Sequence, residues 1–328
     1  MKTFCEKIWE AGEYNYQAAY GFEPNIHALI HEDGIRDCMI VVPGGGYCMC
    51  VPPEAEIVAK EFYERGMNAF VLTYTTDITM SIPLKNQPHY DLARAVRFIR
   101  ARAKEYSLSD KLIVCGFSAG AHVCGTLAVH FNDVKETNEK YKRISCRPDG
   151  VILSYPVITT GIYTHIYSVQ ALLGQNPSQE ELDYYSLEKN VKEGTPPCFI
   201  WQTAEDNLVP VKNSYLFAEA LYENDIPFAH YVFPKGFHGL STASKDFFDS
   251  KFGEPYTMEQ VDRAVKAVKE GKGINVSEKR RAELLIQFQD KPDEKKDEQQ
   301  MPFKIDPSDF ADVHQWLDLA MIWMKRIL

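Results

Sequence analysis

The sequence predicts an α/β fold: a mostly parallel central sheet with helices on both faces and insertions that could form a cap. Two observations carry that prediction. From about residue 38 short β-branched runs alternate with amphipathic stretches, and each run is nearly continuously apolar, as strands buried on both faces must be. A third agrees with them. The run Lys111-Leu112-Ile113-Val114-Cys115 passes through Gly116-Phe117-Ser118-Ala119-Gly120 directly into the helix-compatible stretch Ala121 to Val129. With 328 residues, 45% of them hydrophobic, the chain suits one large domain over 1–328.

The expected strands, in order, are Met39–Val42, Ala69–Leu72, Leu112–Cys115, Val151–Ser154, Cys198–Trp201 and Ala229–Phe233. Between them residues 54–65, 91–105 and 212–224 show helical spacing; Leu92, Ala95, Val96 and Ile99 share one face. Asp91 and Asp110 stand where helix or turn caps are expected. Residues 156–195, tyrosine-rich and punctuated by Gly and Pro, read as a cap-like insertion after a strand, where α/β proteins build binding sites. Residues 245–305 read as a helical, charged insertion, with helices near Met258–Lys269 and Ser277–Phe288 and a charged surface loop or linker at Lys291–Glu298. A final helix over Pro307–Leu328 carries one broad apolar stripe. No repeat or low-complexity tract supports a solenoid or propeller.

Thirty-six Lys and Arg against 46 Asp and Glu give a formal charge of −10. With no basic cluster interleaved with aromatics, nucleic acid is not an expected partner. The N-terminal residues lead into polar and acidic sequence and no apolar run reaches membrane-spanning length, so a soluble, cytoplasmic protein with no membrane partner is expected. The eight cysteines read as free thiols. No second ligand pair accompanies them at zinc spacing, so no metal site is expected.

The chemistry starts at Ser118. Strand, G-x-S-x-G and helix is the context of a nucleophile elbow, where small residues let a strained turn hold a serine close to neighbouring chain. A serine hydroxyl needs a base, a partner to orient that base, and donors for an oxyanion. Asp206, just past the strand ending at Trp201, is the candidate acid, with Glu205 as its neighbouring rival and a cap for a helix near Val211 as its structural alternative. His238, on the loop after the next strand, is the candidate base, because imidazole can accept and return a proton near neutral pH. His122 lies on the helix after the elbow, where packing or a hydrogen bond to a loop is expected instead. Val42-Pro43-Gly44-Gly45-Gly46-Tyr47 follows the first strong strand; Gly45 and Gly46, with Ala119, are the expected backbone donors of the oxyanion hole. Neither a Walker lysine nor dinucleotide spacing accompanies these glycines.

With these residues in the order serine, acid, histidine, the chain resembles bacterial α/β-hydrolase esterases of the acetylxylan esterase-like or feruloyl-esterase-like kind, more distantly related to the hormone-sensitive-lipase group. The resemblance rests on Pro43–Tyr47, Gly116–His122, Ser154–Ile158, Thr195–Trp201, Glu205–Pro210 and Gly236–Leu240, and covers roughly 35–243 and the final helix. Pro43 stands where the related H-G-G-G segment has histidine. The resemblance implies the α/β-hydrolase fold and hydrolysis of short acyl esters, often acetyl groups on plant-polysaccharide sugars, with no metal or organic cofactor. The implied partner is a small-molecule or oligosaccharide ester. Tyr47 and Tyr155 are candidate substrate contacts, and Tyr155, Tyr163, Tyr167, Tyr184 and Tyr185 are candidates for stacking on sugar rings, with core or loop packing as the alternative. Residues 245–300 depart from the compact pattern and leave lid, surface insertion and homo-oligomer interface open. A serine peptidase of prolyl-oligopeptidase type, without its propeller, and a non-catalytic binding module are the competing readings.

Overall fold

All six apolar runs become strands of one eight-stranded sheet. The structure is a computed structural model that describes residues 1–274, 276–289 and 306–328. The expected charged loop Lys291–Glu298 lies outside the described residues. In chain order the strands are β1 (Lys2–Lys7), β2 (Asn25–Ile30), β3 (Arg36–Val42), β4 (Asn68–Thr73), β5 (Leu108–Phe117), β6 (Gly150–Ser154), β7 (Cys198–Thr203) and β8 (Phe228–Phe233). Their spatial order is β1-β2-β4-β3-β5-β6-β7-β8. From β4 to β8 every pairing is parallel, while β2 runs antiparallel to both neighbours. β1 escapes an apolar-run criterion because, at the sheet edge, it mixes exposed and half-buried residues, and β2 escapes it because Asn25 and His27 interrupt its apolar run.

Period-two alternation sorts the strand residues into two cores. Ile40, Val42, Phe70, Leu72, Val114, Leu153 and Ile200 face one way, against α2 (Gln87–Ala101), α3 (Ala119–His130) and α6 (Lys212–Glu223). Met39, Val41, Val71, Ile113, Cys115, Phe199 and Trp201 face the other way, against α1 (Glu56–Glu64) and the C-terminal helix. Helices on both faces are the consequence of parallel crossovers, and they explain why the strand sequences lack polar alternation.

The cap-like insertion contains α4 (Ile166–Leu173) and α5 (Gln179–Tyr185). After β8 come a short helix with no counterpart in the expectation, α7 (Lys245–Phe248), and then α8 (Glu259–Glu270) and α9 (Glu278–Gln287), close to the expected positions. α8 and α9 dock on the segment after β4: buried Gln260 exchanges hydrogen bonds with Thr76 N–H and C=O, and the Arg280 guanidinium donates to Thr79 O. Among the described residues no helix is long and apolar enough to cross a membrane. All eight cysteines are free.

Three local expectations are corrected. Asp91 does not cap a helix: α2 starts earlier, at Gln87, and Asp91 is buried inside it, accepting from Trp9, Gln87 and Thr75. Asp110 lies within β5. The final helix is divided into a 3₁₀ turn at Pro307–Phe310, α10 (Ala311–His314) and α11 (Trp316–Ile327). Tertiary hydrogen bonds hold this divided form: His314 Nδ1 donates to Thr242 O at 2.7 Å and Trp316 Nε1 to Ser241 O at 2.9 Å. Trp316 then stacks on Trp201 with ring centroids 5.2 Å apart.

Candidate active site

Ser118 occupies the junction between β5 and α3, with φ 51° and ψ −118°, a conformation non-glycine residues rarely adopt. The turn survives because its flanks are small. A Cβ on Gly120 would collide with the carbonyls of Val42 and Pro43, and one on Gly116 with the Gly120 carbonyl. Ser118 N–H donates to Ser154 O at 3.0 Å and Ser118 O accepts from His122 and Val157, so the strained residue is held from both sides.

The loops after β7 and β8 converge on this serine. His238 Nε2 is 2.8 Å from Ser118 Oγ, and His238 Nδ1 is 2.8 Å from Asp206 Oδ2. A carboxylate can only accept, so Nδ1–H donates to Asp206, which leaves Nε2 as the acceptor for the serine proton. Asp206 Oδ1 accepts from Leu208 N–H and Val209 N–H, and Oδ2 also accepts from Gln202 Nε2. Burial works to raise the Asp206 carboxyl, but the hydrogen bond and charge of His238 and the two backbone donors outweigh it, holding the group below the usual carboxylate range. Its rival Glu205 is exposed.

The glycine loop abuts the elbow. A Cβ on Gly44 would stand 2.6 Å from Phe117 O and 2.9 Å from Ser118 Cβ, so only glycine fits there without movement. Gly44 N–H is committed to Glu54 Oε2 at 2.7 Å. Among the described residues the N–H groups of Gly45 and Gly46 donate to no protein acceptor, and Ala119 N–H lies in the first turn of α3, where helix donors lack intrahelical partners.

Tyr47 and Tyr155, the candidate substrate contacts, are buried beside the site, 2% exposed each. The Tyr47 hydroxyl is 2.6 Å from His122 Nδ1, and the Tyr155 hydroxyl donates to Glu54 Oε1 at 2.7 Å while accepting from Ser241 N–H at 3.1 Å. Both phenols are spent on internal bonds. Packing also claims two of the stacking candidates: Tyr184 stacks on His130 and Tyr185 bonds Asn86 Oδ1, while Tyr167 stands 65% exposed. His122 bonds the last residue of α5 and not a loop, its Nε2–H donating to Tyr185 O at 2.9 Å. Burial lowers its pKa to about 4, so it is neutral at physiological pH.

His165, at the start of α4, shares a 2.8 Å bond between its Nδ1 and Ser168 Oγ. Ser168 Oγ would meet a Cβ on Gly46 at 3.9 Å, which brings α4 of the cap-like insertion to the rim of the glycine loop. Glu54 has no signal in the sequence beyond the opening of a helix in Pro52-Pro53-Glu54, yet it is a buried carboxylate at this site. Among the described residues no group of three or more His, Cys, Asp or Glu could hold a metal ion. Strained serine, polarised imidazole, buried carboxylate and free backbone donors together form an arrangement competent for acyl transfer.

The BD-FAE family model matches residues 26–221, well over half of the chain. Endo-1,4-beta-xylanase B of Butyrivibrio fibrisolvens is 64% identical over 270 residues, 82% of this chain; the chain spans only 42% of that relative. Among solved structures, the acetyl ester-xyloside bifunctional hydrolase from Caldicellulosiruptor lactoaceticus is 33% identical, with a TM-score of 0.69 over 79% of this chain and 97% of that one. MGS-M1, an alpha/beta hydrolase enzyme from a Medee basin deep-sea metagenome library, is 25% identical with a TM-score of 0.55, covering 81% and 96% of the two chains. Sheet order, elbow and family match agree: the chain is a member of the BD-FAE family with the α/β-hydrolase fold.

Proposed function

We propose that the chain is a serine carboxylesterase that removes short acyl groups, acetyl above all, from plant-derived sugars or oligosaccharides through an acyl-enzyme. The observation that carries the reading is the continuous relay Ser118 Oγ, His238 Nε2, His238 Nδ1, Asp206 Oδ2, with 2.8 Å at both bonds. Ser118 Oγ attacks the ester carbonyl while His238 Nε2 takes its proton. Asp206 orients the imidazole and stabilises its cation, and the N–H groups of Gly45, Gly46 and Ala119 hold the oxyanion. Collapse expels the sugar hydroxyl, which takes the proton from His238; water, deprotonated by the same His238, then releases the acid from Ser118.

The substrate reading is supported by the xylan- and acetyl-ester-directed names of two relatives. A Ser-His-Asp relay performs acyl transfer, whereas glycoside hydrolysis generally requires two carboxylates flanking the sugar bond. The test is acetate release from acetylated xylo-oligosaccharides by the wild type and Ser118→Ala, followed by chromatography. We expect release by the wild type and a fall of about 10⁴ or more in the variant. Near-normal turnover by Ser118→Ala would remove Ser118 as nucleophile, and faster cleavage of long-chain than acetyl esters would overturn the short-acyl assignment.

A further inference from the structure

The pivot of the site is a carboxylate outside the Ser118-His238-Asp206 relay. Glu54, 3% exposed, accepts Gly44 N–H on Oε2 and the Tyr155 hydroxyl on Oε1, both at 2.7 Å. Gly44 opens the glycine loop and packs against Ser118. Tyr155 leads the other way. Its hydroxyl accepts Ser241 N–H, three residues past His238, and its ring meets the His238 ring edge-on with centroids 4.9 Å apart. One buried side chain therefore bonds both the loop that supplies the oxyanion donors and the tyrosine that backs the imidazole.

A buried carboxylate is expensive unless its oxygens are satisfied, so retaining one here calls for a role that an apolar residue could not fill. The backbone gives the reason. Tyr155 has φ 36° and Ser241 has φ 49°, both unfavourable for residues with side chains, and Gly44 is pressed between Phe117 O and Ser118 Cβ. All three lie outside the helices and strands, and of their backbones only Tyr155 N–H reaches the sheet, donating to Trp201 O at 2.7 Å.

We propose that Glu54 is a positioning residue of the esterase: through Gly44 it sets the oxyanion loop and through Tyr155 the His238 loop, fixing their separation across Ser118. The proposal rests on the Ser118-His238-Asp206 reading. During attack the oxyanion donors must be in place before charge develops, and a loop free to shift by about 1 Å loses much of that stabilisation. Glu54 touches no reacting atom; its effect belongs in turnover and in transition-state affinity, not in ground-state binding.

The experiment compares Glu54→Ala, Glu54→Gln and Tyr155→Phe with the wild type on p-nitrophenyl acetate, reading kcat, KM, the inhibition constant of a trifluoromethyl ketone, and Tm. Glu54→Ala should lower kcat and weaken the ketone in parallel by about 10²–10³, with KM within about threefold. Glu54→Gln keeps an acceptor for Gly44 N–H, and the Tyr155 hydroxyl can rotate to meet its amide. It should recover turnover to within about tenfold of the wild type. Tyr155→Phe should lower kcat by about tenfold by severing only the His238 side. A role confined to folding would lower Tm and leave kcat and ketone affinity intact well below the melting temperature. Values within twofold of the wild type in Glu54→Ala overturn the proposal. Where that variant does not fold, unchanged kcat and ketone affinity in Tyr155→Phe overturn it. Ser118→Ala keeps the two readings apart: turnover surviving in that variant refutes the triad itself, whereas its loss beside an indifferent Glu54→Ala refutes only the role of Glu54.

Discussion

The Tyr47 hydroxyl lies 2.6 Å from His122 Nδ1, and the opposite ring nitrogen lies 2.9 Å from Tyr185 O. A carbonyl can only accept, so His122 is the Nε2–H tautomer and its Nδ1 accepts the tyrosine proton. One neutral imidazole thereby joins the glycine loop, the helix that follows Ser118 and the cap-like insertion.

That neutrality has a pH signature. Burial depresses the folded-state pKa of His122 from 6.5 to about 4, so between those values the unfolded chain binds a proton that the folded chain refuses. Stability should rise with pH across that window, be complete above about 6.5, and fall as pH drops toward 4. Over 2.5 units the term amounts to about 3 kcal/mol. Urea unfolding of the wild type and His122→Asn from pH 4 to 7 isolates it, because His89, lowered to about 3, and Asp91, raised to about 6, are present in both proteins. Identical pH slopes would refute the assignment.

Asp206→Asn should fold, since its amide oxygen can still accept from Leu208 and Val209 N–H. Its amide nitrogen can face His238 Nδ1 only if that nitrogen becomes an acceptor, which moves the ring proton to Nε2 and turns it against the serine hydroxyl. We expect kcat to fall by about 10⁴ with KM little changed. Steady-state kinetics on an acetyl ester checks this, and a loss below tenfold would deny Asp206 its orienting role.

Gly44→Ala introduces a methyl 2.6 Å from Phe117 O, 2.8 Å from Glu54 Oε2 and 2.9 Å from Ser118 Cβ. Moving the Glu54 carboxylate would not clear the methyl, because Phe117 O is backbone and Ser118 Cβ is fixed by the strained turn. Stability should drop by about 1–3 kcal/mol from overpacking, and turnover by about 10² as the loop moves off Ser118. Denaturant midpoints and kcat measured on the same preparation decide it; an unaltered kcat would place the loop outside the reaction.

Gln260→Ala should loosen the insertion after β8 without touching the relay. It strips the buried Thr76 N–H and C=O of their partner, a loss of about 1–3 kcal/mol. Limited proteolysis should then cut within residues 259–289 well before the rest of the chain. Unchanged resistance would show that the apolar face of α8, with Val261, Ala264 and Val268, and the Arg280 bonds to Thr79 O hold the docking without Gln260.

The residues on strands buried on both faces were legible because burial on both faces forces an unbroken apolar run, and such runs at Met39–Val42, Leu112–Cys115 and Cys198–Trp201 are unambiguous. Ser118, Asp206 and His238 were legible because each sits just beyond a strand, so chain order alone orders them in space. Glu54 was not, since nothing local distinguishes a helix-opening glutamate from one whose carboxylate is turned inward. Asp91 misled for the same reason: a short acidic side chain is as good an anchor for Trp9 and Thr75 as it is a cap.

By itself the sequence determined the layered α/β fold, the elbow at Ser118 and the order of its partners, because strand burial and turn chemistry are local properties read from adjacent residues. Only the tertiary structure decided that Tyr47 and Tyr155 face inward, that the last helix breaks where His314 and Trp316 bond the chain after His238, and that Glu54 lies beneath the site. Those outcomes depend on hydrogen-bond partners as many as 101 residues apart, as Glu54 and Tyr155 are, and a buried polar group is satisfied by whatever the folded chain brings to it.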